Sequence, residues 1–544
     1  MYQSQFEPPA QRASSLEQPE VPEEPDAPAP SEVAPPVVEA KQPREVAAET
    51  AEPELPAVEA SRIRVEKPLY IAEFTTRGGG LYRWELTGYH HGGKHTDRPI
   101  VLTTEQEPVP TTLATPFPEL GIGDLAGAIF EVEQNDASVI AFRYERNGVI
   151  VRKIYSLDDD SYALRLHVEV RNDSGAPIEP VFTVLWPAAK RDDQEFKEEG
   201  FVVFHEGKVE KHPLGSLGQT GFLSSLLGRG EYVDPEYHGD LDWLGVQTTY
   251  FLGVLLPDDR NFAEARIHAL TKGESGVAEL SFPAVKLASG QAVEQEFRAY
   301  LGPKEVDRLE AVGRHTVRSI DLGYTWIEPL VLGFGWLLRA LYSIVPNYGV
   351  AIILLTIMVR IVTMPLTNRQ MRSMERMRRL QPKVKELQDK HSDDRQKQSE
   401  EMMKLYRTEG VNPLGGCFPM LLQLPVFIGL FYALRSSIEL RQAPFVGWIN
   451  DLSAPETLFV VPGLEIPIRV LPIVMGVSMV VQQKLTPTAS ADPAQARMMM
   501  TIMPIMMTVL FYQFASGLVL YWFVSNILAI THQLLIGRKI RAGG

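Results

Sequence analysis

The chain has 544 residues, 45% of them apolar, a formal net charge of −15 and one cysteine, Cys417. That length admits several domains. A lone cysteine excludes an internal disulfide and any paired-Cys or Cys/His metal cluster, and no P-loop, G-x-S-x-G or HExxH is present to support nucleotide, ester or zinc-peptidase chemistry.

Residues 1–60 are rich in Pro, Glu and Ala and hold thirteen acids against three bases. Such a segment has too little apolar surface to offset its ordering entropy, and it reads as a disordered acidic tether. Residues 61–320 change character. SVIAFRYERNGVIVRKIYSL places two alternating runs on either side of Asn147-Gly148, a hairpin signal. YALRLHVEV (162–170), WLGVQTTYFLGVLLP (243–257) and AVEQEFRAYLGP (292–303) supply further strands. Many short strands with turn signals and few helical patterns predict a β-sandwich. His90, His91 and His95 share the loop YHHGGKH, but no carboxylate stands at ligand spacing. The loop is therefore read as solvated, with no metal site.

Residues 321–346 are apolar and aromatic, with one base, Arg339. Trp326, Trp336 and Tyr342 suit the headgroup level, which predicts an amphipathic helix lying in the membrane interface. The alternative is a crossing helix. The next stretch, 347–367, reads NYGVAIILLTIMVRIVTMPLT and is long enough to cross a bilayer. It contains Arg360. A guanidinium at that depth costs at least about 2.5–3.5 kcal/mol. Two readings offset that cost: Arg360 snorkels to the interface, or it lines a wet cavity within the membrane.

Residues 369–407 hold twelve bases and seven acids, and Met371, Met374, Met377, Leu380, Val384 and Leu387 recur at helical spacing. A second helical piece follows the polar run 391–394. Together they predict a helical hairpin over 369–410 whose seam is the Met stripe. Its bases read as a solvated, cytoplasm-facing surface, not as a nucleic-acid site. Four more apolar stretches follow, at about 417–434, 466–481, 498–514 and 517–536. The connection 439–465 has one base, Arg441, whereas the C-terminal GRKIRAGG has three. The positive-inside rule puts 369–407 and the C-terminus in the cytoplasm. Five crossings then place the β-domain outside. Gln423, Pro425, Pro504, Ser525, Asn526, His532 and Gln533 all fall in these stretches, which fits a hydrated groove better than a tightly packed bundle.

The run VNPLGGCFPMLLQLPVFIGLFYALRSSIELRQAPFVGWINDLSAP (411–455) closely resembles the YidC membrane protein insertase family, of the Gram-negative type with a large periplasmic domain. The likeness extends through LPIVMGVSMVVQQKLTPT, MPIMM and SGLVLYWFVSNILAITHQ. Upstream it covers TIMVRIVTMPLT, LQPKVKELQ and DWLGVQTTYF, so it takes in roughly residues 61–540. The resemblance implies a multi-pass protein of the bacterial inner membrane, with the β-domain in the periplasm and the C-terminus in the cytoplasm. Its five core helices would enclose a hydrophilic groove open to cytoplasm and lipid. By resemblance Arg360 is the groove's positive charge, with Thr356, Gln423, Tyr521 and Trp522 lining it. Leu424, Pro425, Phe427, Ile428 and Pro504 match the apolar slide along which a client's segment leaves. The implied activity is insertion and folding of inner-membrane proteins, alone or with the Sec translocon, without enzymatic chemistry or cofactor. Nascent membrane proteins, the lipid bilayer, and ribosome and targeting factors at the cytoplasmic loops are the implied partners.

This family type begins with a signal-anchor helix, which is absent from the sequence here. The expectation is that the reading frame before Met1 encodes about 20 apolar residues. Two other functions are open to such a sequence. A small-solute transporter should show internal repeats, and none is evident. A membrane-anchored, sugar-binding β-sandwich rests on architecture alone, which does not give function.

Overall fold

The computed structural model describes residues 60–92, 98–106, 109–191, 198–219, 232–391, 394–410, 418–485 and 501–542. The predicted tether up to residue 59, His95 and Cys417 lie outside the described residues.

Alternating sequence becomes a two-layer β-domain. Its larger layer is a nine-stranded sheet. In spatial order the strands are Lys208–Pro213, Gly200–His205, Leu241–Gln247, Phe251–Pro257, Gln291–Pro303, Ala163–Asn172, Val149–Leu157, Val139–Arg146 and Glu131–Asn135. The hairpin turn at Asn147-Gly148 has φ of 54° and 75°, the left-handed pair that matches strand twist. The facing layer consists of two four-stranded sheets, one beginning at Arg62–Glu66 and one ending at Thr183–Ala189. Bridges Leu81 to Thr112 and Ala114 to Leu185 join them edge to edge. Two tryptophans fix the layer contact. Trp84 Nε1 donates to Leu301 O at 2.8 Å, and the Trp186 ring lies where a Cβ on Gly253 would be, 2.6 Å away. Lys153 is fully buried between the layers and donates to Gly78 O and Leu113 O at 3.0 and 2.8 Å.

The chain leaves the β-domain through Lys304. Its ammonium donates to Gln247 Oε1, Thr248 O and Ser319 O at 2.8, 2.8 and 3.1 Å. Burial lowers it to about 7. This side chain pins the connector, with its short helix α1 (Val306–Val312), to the end of the large sheet.

Seven helices follow among the described residues. They are α2 (Glu328–Ile344), α3 (Tyr348–Lys390), α4 (Arg395–Thr408), α5 (Phe418–Ser436), α6 (Val470–Leu485), α7 (Met503–Phe511) and α8 (Ser516–Ala542). α2 buries Val331, Phe334, Leu338 and Leu341, whose spacing makes one stripe, while Trp336 is 65% exposed. Phe334 and Leu330 meet α5 at Gly429. The apolar stretch 347–367 and the first arm of the 369–410 hairpin form one continuous helix: α3 runs on through Pro365 and Pro382 to Lys390. Thr363 and Thr367 hydroxyls bond back to Val359 O and Thr363 O at 2.9 and 3.1 Å in the turns around Pro365. Along the basic half, Met377 and Leu380 pack with Tyr406 of α4, and Lys383 pairs with Glu409.

The stretch predicted as a helix from 466 also differs. Ile466–Ile468 is a strand paired with Phe459–Val461, and the helix starts at Val470. A short apolar run does not by itself distinguish the two. Two helical segments, Tyr348–Arg369 and Ser516–Leu535, are long and apolar enough to cross a bilayer, and Leu424–Ser436 and Val470–Leu485 are apolar but shorter.

Candidate functional site

Arg360 lies on α3, and its partner comes from α8. Nε donates to Ser525 Oγ at 3.1 Å, and Nη2 donates to Ser525 O at 3.0 Å and to Oγ at 2.5 Å. One side of the guanidinium fork is thus fastened to a single residue. Nη1 has no hydrogen-bond partner among the described residues. Tyr521 and His532 are within electrostatic reach of Arg360. The intervals Tyr521 to Ser525 and Ser525 to His532 are four and seven residues, which puts all three on one helical face. Ser525 was noticed in the sequence only as a polar residue in an apolar stretch. The signal that could have found it as a partner is this spacing.

Thr356 is buried one turn before Arg360, and its hydroxyl donates to Ile352 O at 2.6 Å. Its proton is therefore committed to its own helix, while its oxygen can still accept. Gln423 is on α5, but its side chain lies outside the described residues. On the next face of α8, Asn526 Nδ2 donates to Ser478 Oγ of α6 at 2.9 Å. Both residues are buried, so this pair stitches helices together.

Trp522 is turned away from the arginine. Its ring meets Phe427 of α5 edge-on at 4.8 Å and Phe511 of α7 at 4.8 Å. The structure thus groups the resemblance-derived residues in two sets. Arg360, Thr356 and Tyr521 gather between α3 and α8, while Trp522 joins Phe427 and α7. Around the second set Leu424 is 51% exposed, Pro425 and Ile428 are half-buried, and Pro504 is buried. Tyr521 and Trp522 are consecutive, so α8 is the partition between a polar and an apolar surface.

At one end of the helix group, where α3, α6 and α8 begin, the helices are closely tied. Asn347 caps α3, accepting from Val350 N at 3.0 Å, and its amide donates to Phe445 O at 3.2 Å. Glu456 accepts from Leu471 N and from Trp448 Nε1, both at 2.7 Å. A buried carboxylate at the start of α6 complements the helix dipole. Ser516 N and Gly517 N, at the start of α8, donate to Ala454 O and Leu452 O at 2.9 Å. The β-domain takes part as well: Arg441 Nη2 and Gln442 Nε2 both donate to His90 O, at 2.6 and 2.5 Å. Arg469 Nε, just before α6, is buried without a hydrogen-bond partner among the described residues, and so are polar atoms toward the opposite ends. Asn368 Oδ1, Gln483 Oε1 and His532 Nε2 are buried without a hydrogen-bond partner among the described residues.

Comparison with known proteins matches both parts of the chain. Residues 62–332 match the YidC periplasmic domain, and residues 340–542 match the 60Kd inner membrane protein family. The membrane protein insertase YidC of Pelobacter propionicus is 35% identical over 505 residues, covering 90% of this chain and 89% of the relative. That of Geobacter metallireducens is 35% identical over 492 residues, covering 88% and 86%. A crystal structure of an active YidC insertase with its first transmembrane domain resolved is 19% identical and covers 86% of this chain and 91% of its own, with a TM-score of 0.36. With a periplasmic β-domain in its first half and an inner-membrane helical part in its second, the chain belongs to the YidC family of membrane protein insertases.

Proposed function

We propose that the polar face around Arg360 receives the polar tail of a nascent membrane protein while the client's apolar segment leaves into lipid along α5 and α7. The observation that carries this reading is the half-fastened guanidinium inside an apolar helix. Ser525 holds Nε and Nη2, and Nη1, held by none of the described residues, is left to meet a client's carboxylate. A guanidinium is suited to such divided use, because its rigid fork can hold one partner along one edge while another edge meets a carboxylate.

The arrangement of polar atoms supports a cavity open on one side. Buried polar atoms without partners among the described residues call for water; three of them, Asn368 Oδ1, Gln483 Oε1 and His532 Nε2, sit toward the inner ends of the apolar parts of α3, α6 and α8, against one, Arg469 Nε, at the outer ends. At the outer ends, caps and carboxylates satisfy the helix termini. In this reading α3, α5, α6, α7 and α8 cross the inner membrane, α2 lies in the outer interface, and the β-domain is periplasmic. The 369–410 hairpin and the C-terminus face the cytoplasm, where their bases suit the ribosome and targeting factors. Association with the Sec translocon belongs to the same reading. Arg360, Thr356, Gln423 and Tyr521 line the groove. Leu424, Pro425, Phe427, Ile428 and Pro504 form the slide, and Trp522 sits on the slide side of α8.

Site-specific photocrosslinking to a ribosome-stalled client tests the division of labour. Probes at Leu424 and Phe427 are expected to capture the client's apolar segment, and a probe at Tyr521 its polar tail. Capture of both parts with equal yield from all three positions rules the reading out.

A further inference from the structure

The loop that ties the outer helix ends carries a hairpin that is bonded to the helices at its base and projects beyond them. Phe459–Val461 pairs with Ile466–Ile468 in the register Phe459 to Ile468, Val460 to Pro467 and Val461 to Ile466. Opposed residues share a face. One face is therefore Phe459, Val461, Ile466 and Ile468, and the other is Val460 and Pro467. The only charge in the hairpin is Glu465, in the turn. Phe459 and Val460 are about half exposed, and Leu464 at the tip is 68% exposed. A lone two-stranded hairpin is marginal in water, and one apolar on both faces needs a covering.

The base of the hairpin indicates what covers it. Tyr512, just past α7, donates its hydroxyl to Pro467 O. Arg469 donates to Tyr512 O and lies 5.1 Å over its ring. Arg469 leads directly into α6, which exposes Ile473, Val474, Val477 and Val481, a single stripe by spacing. α7 exposes Ile505, Met506, Val509 and Leu510. The hairpin therefore prolongs the apolar surface of α6 and α7, and its base is an arginine–tyrosine pair of the kind found at the headgroup level.

We propose that the hairpin 459–468 lies in the outer headgroup–acyl boundary of the bilayer, anchoring the outer ends of α6 and α7 beside the slide. This rests on the reading that α6 and α7 face lipid. The acid at the tip limits depth to the boundary, where apolar side chains enter and charges stay wet. The anchor would hold the α7 side of the lateral opening at a fixed depth while clients pass.

The test uses the full chain with Cys417→Ser, carrying Leu464→Cys or Val477→Cys labelled with an environment-sensitive fluorophore. The protein is reconstituted in phosphatidylethanolamine–phosphatidylglycerol vesicles with nitroxide lipids labelled near the headgroup or near the chain end. The Leu464 probe is expected to lose about half its emission with headgroup-proximal nitroxides and little with chain-end ones, as an interfacial element should. The Val477 probe is expected to show chain-end quenching. Leu464 emission quenched by aqueous iodide and indifferent to nitroxide lipids, with Val477 quenched as expected, overturns the anchor alone. Val477 indifferent to both nitroxides overturns the lipid-facing reading and the anchor with it. A Leu464 probe that leaves water only when a stalled client is present makes the hairpin a client contact and also overturns the anchor.

Discussion

Removing the charge of Arg360 should impair clients in proportion to the acidity of their tails. A carboxylate at ~4 Å from the guanidinium, at an effective dielectric near 20, gains ~4 kcal/mol. Desolvating the carboxylate takes back a large part, and a net ~1–2 kcal/mol corresponds to a roughly 5- to 30-fold difference in insertion. The assay is insertion of a single-span client into proteoliposomes, with an outer tail carrying either Asp or Asn at the same positions. Arg360→Ala should lower the Asp-to-Asn ratio of insertion yields by that factor. On charge alone Arg360→Lys would serve nearly as well. The fork on Ser525 predicts less, because one ammonium cannot reach both Ser525 and a client as the guanidinium does. Lysine should therefore fall between arginine and alanine. Ser525→Ala keeps the charge and should leave the ratio near that of the parent. Equal loss for Asp and Asn tails in Arg360→Ala refutes the electrostatic role and leaves Arg360 a packing residue.

Other expectations concern the scaffold. Burial lowers Lys153 from 10.5 to about 7, so between those values the unfolded chain binds a proton that the native β-domain does not. The resulting destabilisation, ~5 kcal/mol, is full below about pH 7 and is relieved as pH rises toward 10.5. Lys153→Met removes this slope. Its stability relative to the parent should rise as pH falls through that window, read from denaturation midpoints by tryptophan emission, and a constant difference would refute the assignment. Glu456→Ala strands the Leu471 and Trp448 donors, about 1–3 kcal/mol each; amide exchange should accelerate across 443–471 while α3 exchange stays unchanged. A Cβ on Gly476 would lie 2.0 Å from Thr508 Oγ1, so Gly476→Ala should cost about 1–3 kcal/mol by overpacking. Thr508→Ala should recover much of it in a double-mutant cycle on the detergent-solubilised protein, whereas additive losses would deny the α6–α7 contact.

Periodicity made the β-domain readable strand by strand because each strand carries its own signal. The Asn147-Gly148 turn is a local event, and alternation in 163–172 reports burial directly. The layer contacts were not readable, since Trp84 with Leu301 and Trp186 with Gly253 join residues far apart in sequence. Among the helices, hydropathy located the apolar runs but not their ends. It could not tell the strand at 466–468 from the first turn of α6, nor see that α3 continues past Pro365. The arginine was conspicuous in the sequence, but Ser525 was not. A serine in an apolar helix is unremarkable until the opposite helix supplies its partner. Trp522 shows the converse limit. Adjacent to Tyr521 in sequence, it shares its place by resemblance, yet successive helical residues point about 100° apart, so one faces the arginine and the other the slide.

That angular separation bears on what a client must be. In the proposed function the polar tail and the apolar segment are received on neighbouring faces of one helix, so a suitable client would have its polar tail directly joined to its first apolar segment. Arg360 stands thirteen residues beyond Asn347, which is ~20 Å of helix below the sealed outer end. A tail that reaches Arg360 through water has already passed about a third of the ~30 Å core. The work that remains is desolvation over the shorter distance, and partitioning of a whole apolar segment, at ~25 cal/mol per Å², can offset it for a short tail with one or two charges. Each added charge raises that cost without adding apolar area. On that reading the groove would suit short-tailed clients by its geometry, and longer or more highly charged tails would require a second device.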